Sequence, residues 1–277
     1  MVNSRKEGNN MMYLVQKENN ELTLDEHIIV DLLNQHKYQF EWRLKSLVDI
    51  EKMSKEQLEY VVPIGTIQFV TKVLNNGHGF IKENPIEIPK YLRTDKYLKR
   101  DYKIVKGSDL PRTGYCFIKN ASTLKQFSYL GQLDYFLFDE MFYNRGQEDT
   151  AKCNDYTLKI CNDDLFVVSS NFNPQAEYRV YVVDHEIINI GNYDGNICEF
   201  PPDFQLIKDA VSEIRDHEEW LKSYTLDIMV NKTGTAIIEI HNLTSCGLYA
   251  TVFGSELLYG YKQGIDYLLN DNHLLEV

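Results

Sequence analysis

The chain has 277 residues, 43% of them hydrophobic, which is enough to bury one large core or two modest ones. Its formal net charge of −12 argues against sequence-independent binding of nucleic acid, because such a surface repels phosphate and no long Lys/Arg run offsets it. The five cysteines are an odd number without a CxxC pair, which argues against a disulfide framework or a structural zinc site and favours a reducing compartment.

The sequence shows neither a membrane segment nor an export signal. No run approaches the roughly 20 apolar residues that a membrane helix needs. The polar start MVNSRKEGNN lacks the apolar centre of a signal peptide. We therefore expect residues 1–11 to be a disordered lead-in and the protein to be cytoplasmic, without a membrane or nucleic-acid partner. The sequence leaves oligomerisation open.

The first part of the chain alternates strand and helix. Thr23 and Glu26 have the spacing of a capping box at the start of a helix, and Asn76 with Gly77 marks the end of a later one. The predicted elements are a strand at 12–16, a helix from Thr23, strands at 38–44 and 60–62, and a helix at 66–74. This alternation predicts a small α/β domain with parallel strands over residues 12–88.

The charged, proline-bearing stretch at 82–89 predicts the boundary to a second region, which covers residues 89–277. Its first half is expected to contain, in order, a helical segment at 95–100, a loop at Gly107 and Pro111, a strand at 115–119, a short helix from Ser122 and a strand at 135–138.

The last hundred residues are rich in strands. The pattern predicts strands at 165–170, 178–183 and 187–193, then a helix from Asp203 to about residue 221, a hairpin at 224–230 and 235–240, and a helix at 255–269. Asp184 and His185 are typical of the turn of a hairpin.

Two acidic residues interrupt the apolar strands of the last hairpin. With a tight turn through Lys232 and Gly234, Asp227 and Glu239 can face each other on one side of the sheet. Two nearby carboxylates repel, and a shared divalent cation relieves that repulsion. The alternative is that one carboxylate faces solvent or is bonded to the backbone or an Arg.

Basic residues end or interrupt several other apolar segments. Lys96, Lys119 and Arg179 are of the type that a polyphosphate requires, although a solvated surface position is the ordinary place for each of them. The sequence has neither a GxxxxGK[ST] loop nor a GxGxxG turn, so side chains must hold much of the phosphate if a nucleotide binds.

In their order and spacing these elements resemble the ATP-grasp superfamily, in particular its compact members from phages and bacteria. The matching segments are VVPIGTIQFV, TDKYLK, YCFIKNASTLKQF, VVSSNFNPQAEYRVYVVDHEIINIGNYDG and LDIMVNKTGTAIIEIHNLTSCGLYA. The resemblance implies an ATP-grasp fold preceded by a small α/β domain, with a lid subdomain at about 112–166 and a core subdomain at about 167–277.

The resemblance also implies roles for residues that contact the nucleotide. Lys96 and Lys119 correspond to the two lysines that hold the phosphates, and Lys125 to a further basic contact. The strand with Ser169 and Ser170 is similar to the hinge whose backbone binds adenine.

By the same resemblance, acidic and basic residues of the last strands line the cation and acceptor sites. Glu177 and Arg179 match the ExR element beside ATP and the acceptor, whereas Asp227 and Glu239 match the carboxylates that bind Mg²⁺.

Two positions depart from the family pattern. The closing metal motif is usually Glu-x-Asn, but His241 lies two residues beyond Glu239 and Asn242 follows it. Either Asn242 takes over through a local bulge, or the site is altered by an imidazole, which Mg²⁺ prefers less than oxygen. The lid motif Lys-Pro is Lys119-Asn120 here.

The function that the resemblance implies is an ATP- and Mg²⁺-dependent ligase, which joins a carboxylate-bearing acceptor to an amine through an acylphosphate. Two alternatives remain: a nucleotide-binding module without turnover, and a kinase that releases a phosphorylated product. The sequence does not identify the acceptor or the amine.

Overall fold

The computed structural model of the protein describes residues 12–19, 21–79, 86–121, 128–135, 151–153, 156–158, 164–170, 172–250 and 252–270. Its helices and strands are, in chain order, β1 Met12–Gln16, α1 Leu24–Gln35, β2 Glu41–Lys45, α2 Leu47–Glu51, α3 Lys55–Leu58, β3 Val61–Ile64, α4 Ile67–His78, α5 Asp95–Leu98, β4 Tyr102–Lys106, β5 Gly114–Asn120, β6 Ser128–Leu133, β7 Ala151–Cys153, β8 Tyr156–Leu158, β9 Leu165–Ser169, β10 Ala176–Val183, β11 Glu186–Gly195, α6 Phe204–His217, β12 Tyr224–Asn231, β13 Gly234–Asn242 and α7 Glu256–Leu269.

The N-terminal sheet has three strands in the order β2-β1-β3, and both pairings are parallel. This arrangement confirms the predicted α/β layer. The capping box of Thr23 and Glu26 is also present and begins α1, so the chain enters this helix at the predicted residue.

The core sheet has four antiparallel strands in the order β11-β10-β12-β13. Asp184 and His185 form the turn between β10 and β11 with φ of 51° and 62°, as the tight hairpin requires. One face of the sheet carries Tyr178, Val180 and Leu226, which pack in one cluster with residues of α6. The opposite face carries Arg179 and Asp227 and is called the site face below.

The lid sheet is a second antiparallel sheet of four strands, in the order β4-β9-β5-β6. Its own cluster is small and centres on Cys116, Ile118 and Phe166. Along β5 buried and less buried residues alternate, so Phe117 and Lys119 lie on the face opposite to this cluster. Strands β7 and β8 pair as a separate two-stranded ladder.

The N-terminal layer and the core sheet share a buried cluster. Tyr13 and Ile29 of this layer pack in it with Tyr181 of β10 and with Leu257 of α7. The Tyr13 hydroxyl also donates a hydrogen bond to the carbonyl oxygen of Leu258 at 3.0 Å. The domain limits 12–88 and 89–277 remain predictions, and this shared cluster lies across them.

Several predicted element ends are wrong by a few residues. The predicted 38–44 strand begins only at Glu41, because the preceding residues turn, with Gln39 donating its amide to the carbonyl of His36. The 66–74 helix continues to His78 and is capped by Gly79 at φ 93°. Gly77 does not end it, because this residue lets α4 approach α3: a Cβ there would lie 2.8 Å from the Leu58 carbonyl oxygen.

Two other predicted helices end earlier than expected. Helix α5 stops at Leu98, because Lys99 adopts a left-handed conformation with φ 49°. Helix α6 stops at His217, and the Leu221 amide then bonds to the Glu218 carbonyl in a turn. None of the helices within the described ranges is both long and apolar enough to cross a membrane.

Candidate functional site

Two acidic side chains meet on the site face through a β-bulge. A regular ladder continued from the Ile228–Ile237 pair would place Ile238 opposite Asp227 and turn Glu239 to the other face. The register shifts by one residue between Ile228 and Asp227, so Asp227 pairs with Glu239 instead. The two carboxylates therefore face each other as expected from the sequence, but only because of this bulge.

Arg179 of β10 grips Asp227 with two hydrogen bonds. Its Nε donates to Asp227 Oδ1 at 2.7 Å and its Nη2 to Oδ2 at 2.6 Å, while Nη1 donates to the Gly247 carbonyl oxygen at 3.3 Å. Arg179 is 8% exposed and Asp227 2%. Burial by itself lowers the pKa of Arg179, but the hydrogen bonds to Asp227 outweigh it and the pKa is raised. This pair corresponds to the Arg-bonded alternative that the sequence left open.

Glu239 is held by two basic side chains. Lys119 Nζ lies 3.4 Å from its Oε2, and His241 Nε2 lies 2.6 Å from its Oε1. Burial by itself raises the pKa of Glu239, but the hydrogen bond and charge of His241, together with Lys119, lower it from 4.5 to about 2. Because Lys119 belongs to the lid sheet and Glu239 to the core sheet, this contact joins the two sheets.

A set of three side chains on this face has the geometry to hold a cation. Asp227, Glu239 and His241 each offer one ligand atom, and these atoms all lie within 4.8 Å of one another. Asp227 keeps a lone pair on each oxygen beyond those that bind Arg179, so both carboxylates suit Mg²⁺. His241 adds a nitrogen, which is not the ligand that Mg²⁺ prefers.

Glu177 supplies a further carboxyl group on the same strand as Arg179. Burial raises its pKa, and the charges of Asp194, Asp227 and Glu239 raise it further, against a hydrogen bond with Tyr193 that lowers it. The predicted ExR pair therefore lies close to both predicted metal carboxylates.

Two tyrosines flank Arg179, and nothing in the sequence pattern had pointed to either. The guanidinium carbon lies 4.9 Å from the ring centroid of Tyr249 and 5.9 Å from that of Tyr193. The ring centroids of the two tyrosines are 4.8 Å apart. A Cβ at Gly191 would lie 2.8 Å from the Tyr249 carbonyl carbon, so the glycine lets the loop after β13 pack onto the sheet.

Asn242 does not join the cation ligands. Its amide nitrogen donates to the Gly264 carbonyl oxygen at 3.0 Å, and its side-chain oxygen accepts from the Thr244 amide at 2.9 Å. The side chain therefore caps the turn after β13 and fastens it to α7. The bulge lies before Glu239 rather than after it, so it leaves His241, not Asn242, beside Glu239.

Lys96 is directed away from the other predicted phosphate contacts. Its Nζ binds Asp209 of α6 at 2.8 Å and lies 4.6 Å from the ring centroid of Tyr97. Because α6 covers the face of the core sheet opposite to Asp227, the structure does not bring Lys96 together with Lys119, and we leave Lys96 out of the proposed phosphate contacts.

The predicted hinge is tied to the segment before β4. Arg100 Nε donates to Ser169 Oγ at 3.2 Å, and the Asp101 amide donates to Ser170 Oγ at 3.1 Å. Arg100 also donates to the Ile237 carbonyl oxygen at 2.7 Å, so it links the hinge to the bulged strand. Its position directly after the TDKYLK segment was the signal that the sequence offered and that our prediction missed.

Lys125 lies outside the described residues, so its predicted phosphate contact remains a prediction. The predicted helix from Ser122 and most of the strand at 135–138 also lie outside them.

Comparisons with solved structures show the fold. The crystal structure of D-cycloserine synthetase DcsG is similar with a TM-score of 0.54 at 10% identity, covering 94% of this chain and 100% of that one. A RimK domain ATP-grasp protein from Sphaerobacter thermophilus has a TM-score of 0.48 at 10% identity, over 93% and 100% of the two chains. D-alanine–D-alanine ligase from Bacillus anthracis, complexed with ATP, has a TM-score of 0.46 at 13% identity, over 94% and 97%. The last two scores are too low to support a conclusion.

A sequence comparison with curated proteins gives no match. The model of a family described as an ATP-grasp domain, family 3 of its clade, matches residues 63–258. This range includes Lys119, Arg179, Asp227 and Glu239, and it confirms the resemblance that the motifs indicated. Because the match covers well over half of the sequence, the chain belongs to this family of ATP-grasp domains.

Proposed function

We propose that this protein is an ATP-dependent carboxylate–amine ligase that works through an acylphosphate. The observation that carries the proposal is the meeting of Lys119, Arg179, Asp227 and Glu239 between the lid sheet and the core sheet. Cationic side chains beside paired carboxylates are what a triphosphate with a divalent cation requires. The ATP-grasp fold supports ATP as the nucleotide.

The basic side chains would do most of the work on the phosphates. Lys119 lies near the end of β5 as a flexible point charge for a phosphate oxygen, and it also offsets Glu239. A divalent cation held by Asp227 and Glu239 supplies charge neutralisation during phosphoryl transfer. Catalysis of this kind depends mainly on positioning and electrostatic stabilisation, which rigid strands provide.

The acceptor would lie beside Arg179. A carboxylate approaches the γ-phosphate only if a cation offsets the repulsion of two anions, and Arg179 is a buried cation on the site face. Glu177, whose pKa is raised by burial, is suited to accept a proton from the attacking amine. The identity of acceptor and amine is left to experiment.

The test compares Glu239→Gln with Glu51→Gln, because each glutamate pairs with a lysine and only Glu239 lies in the proposed site. ATP with Mg²⁺ or Mn²⁺ should raise the melting temperature of the wild type and of Glu51→Gln, since a ligand stabilises the state that binds it. Glu239→Gln should lose this shift together with ADP formation. An equal shift and equal turnover in Glu239→Gln would refute the assignment.

A second function is favoured by the bidentate Arg179–Asp227 pair, which occupies one predicted metal ligand. In that case the protein binds nucleotide without turnover. ADP release in the presence of carboxylates and amines separates the two functions, because a binding module raises the melting temperature but releases no ADP. Release of ADP without a need for an amine would instead indicate a kinase.

A further inference from the structure

We infer that the cation of this site is a first-row transition ion such as Mn²⁺, held by Nε2 of His241 together with Asp227 and Glu239, rather than Mg²⁺ alone. This inference rests on the proposed function, because it concerns the ion that the same carboxylates bind. It names the imidazole as the residue that determines which metal the site selects.

The positions of the ligand atoms carry the first step. His241 Nε2 and Glu239 Oε1 are 2.6 Å apart, and both belong to the set of three atoms within 4.8 Å. Adjacent ligands on an octahedral ion with bonds of about 2.1 Å are about 3.0 Å apart. A shift of a few tenths of an ångström therefore turns the contact between Glu239 and His241 into a pair of neighbouring metal bonds.

The location of His241 carries the second step. The bulge aligns His241 with Thr225 and Glu239 with Asp227 on neighbouring pairs of the same ladder. Side chains at positions 239 and 241 of a strand point to the same face, so the backbone delivers the imidazole next to the carboxylates without distortion. Asn242, whose side chain has an oxygen to offer instead, is already engaged with Gly264 and Thr244.

The preference of the ion for its ligands carries the third step. Mg²⁺ is a hard cation that takes oxygen ligands, whereas imidazole suits transition ions, whose affinity for a nitrogen-containing site rises along the first row. Among the side chains in the described ranges, the grouping of Asp227, Glu239 and His241 includes one nitrogen and two carboxylates. Such a set retains the oxygens that a phosphate-bound cation needs and adds a discriminating nitrogen.

The experiment uses full-length protein without a histidine tag, because a tag would itself bind the probe. Mn²⁺ is bound in the presence of a non-hydrolysable ATP analogue, and pulsed electron paramagnetic resonance records whether a directly bound ¹⁴N is coupled to the ion. The matched variants are His241→Asn and His27→Asn, the latter replacing an exposed histidine of α1.

Wild type and His27→Asn should show the ¹⁴N coupling, and His241→Asn should lack it. In addition, His241→Asn should raise the Kd for Mn²⁺ by at least about tenfold, in line with the effect of losing metal-site partners, while changing the Kd for Mg²⁺ less. Absence of the coupling in wild type, or equal changes of both constants, would overturn the inference.

The same samples separate this inference from the proposed function. If the analogue binds with Mn²⁺ but no nitrogen couples to the ion, only the role of His241 is wrong. If neither the analogue nor Mn²⁺ binds to wild-type protein in a titration, the ATP-dependent function is wrong as well, and the selectivity falls with it.

Discussion

Asp227 depends on Arg179 for its charge to be tolerated at its position. The carboxylate is 2% exposed in the centre of β12, and its two oxygens accept from the guanidinium at 2.7 Å and 2.6 Å. Placing a carboxylate in such surroundings without a partner costs several kcal/mol, and the attraction of the pair roughly offsets that cost. The pair is therefore expected to matter more when broken than when removed entirely.

Arg179→Met should lower the free energy of unfolding by roughly 3–5 kcal/mol, because it leaves Asp227 buried without its cation. Adding Asp227→Leu should restore most of the loss, since the second change removes the unpaired charge. Denaturant unfolding of both variants, beside Arg215→Met on the exposed surface of α6, measures the difference. A single variant no less stable than the Arg215→Met control would mean that the pair does not compensate burial as the geometry indicates.

The β12–β13 hairpin shows how far the sequence could predict the site. Apolar alternation and the Lys232–Gly234 turn located both strands, and the two acidic interruptions identified Asp227 and Glu239. The register was not predictable, because the regular ladder of that turn would oppose Asp227 with Ile238. A bulge arises from packing across the whole sheet, and no local residue type in the hairpin signals it.

The basic residues were predicted less well than the strands. Lys119 lies beside Glu239 as the resemblance implied, whereas Lys96 reaches Asp209 on the opposite face of the core sheet. A motif fixes the position of a residue in the chain, but the direction of a long flexible side chain depends on which partner lies within reach. Arg100 was missed for the converse reason, since it binds backbone carbonyls that no motif records.

Arg100 connects three elements through one guanidinium group, so its loss should weaken the contact between the lid sheet and the core sheet. It donates to Ser169 Oγ at 3.2 Å, to the Leu98 carbonyl at 3.1 Å and to the Ile237 carbonyl at 2.7 Å. Arg100→Met should lower the free energy of unfolding by about 1.5–3 kcal/mol, because charge-assisted hydrogen bonds are lost and their acceptors stay partly buried.

The control for Arg100→Met is Lys103→Met, which removes an exposed cation from β4 and should change stability by no more than about 0.5 kcal/mol. Both variants are compared by chemical denaturation. Equal stability of the two would show that the carbonyl of Ile237 finds another donor or water, and that Arg100 does not hold the bulged strand.

At the scale of the whole molecule, the buried clusters divide the protein unequally. The N-terminal layer, β10 and α7 contribute to one cluster, whereas the lid sheet has a small cluster of its own. Local opening is easiest where few apolar contacts hold an element. The lid sheet is therefore the part whose motion a ligand bound between Lys119 and Glu239 would restrain most.

Hydrogen exchange with and without an ATP analogue and Mn²⁺ tests this whole-molecule expectation. Bound ligand should slow exchange in β5 (Gly114–Asn120) and in β12 and β13, because it adds contacts on both sides of the Lys119–Glu239 pair, which already spans 3.4 Å between the sheets. Exchange in α2 (Leu47–Glu51), which lies in the N-terminal layer, should stay unchanged. The protection should disappear in Glu239→Gln. Protection that spreads evenly over α2 and β5, or that persists in Glu239→Gln, would show that the nucleotide binds elsewhere and that the two sheets do not close upon it.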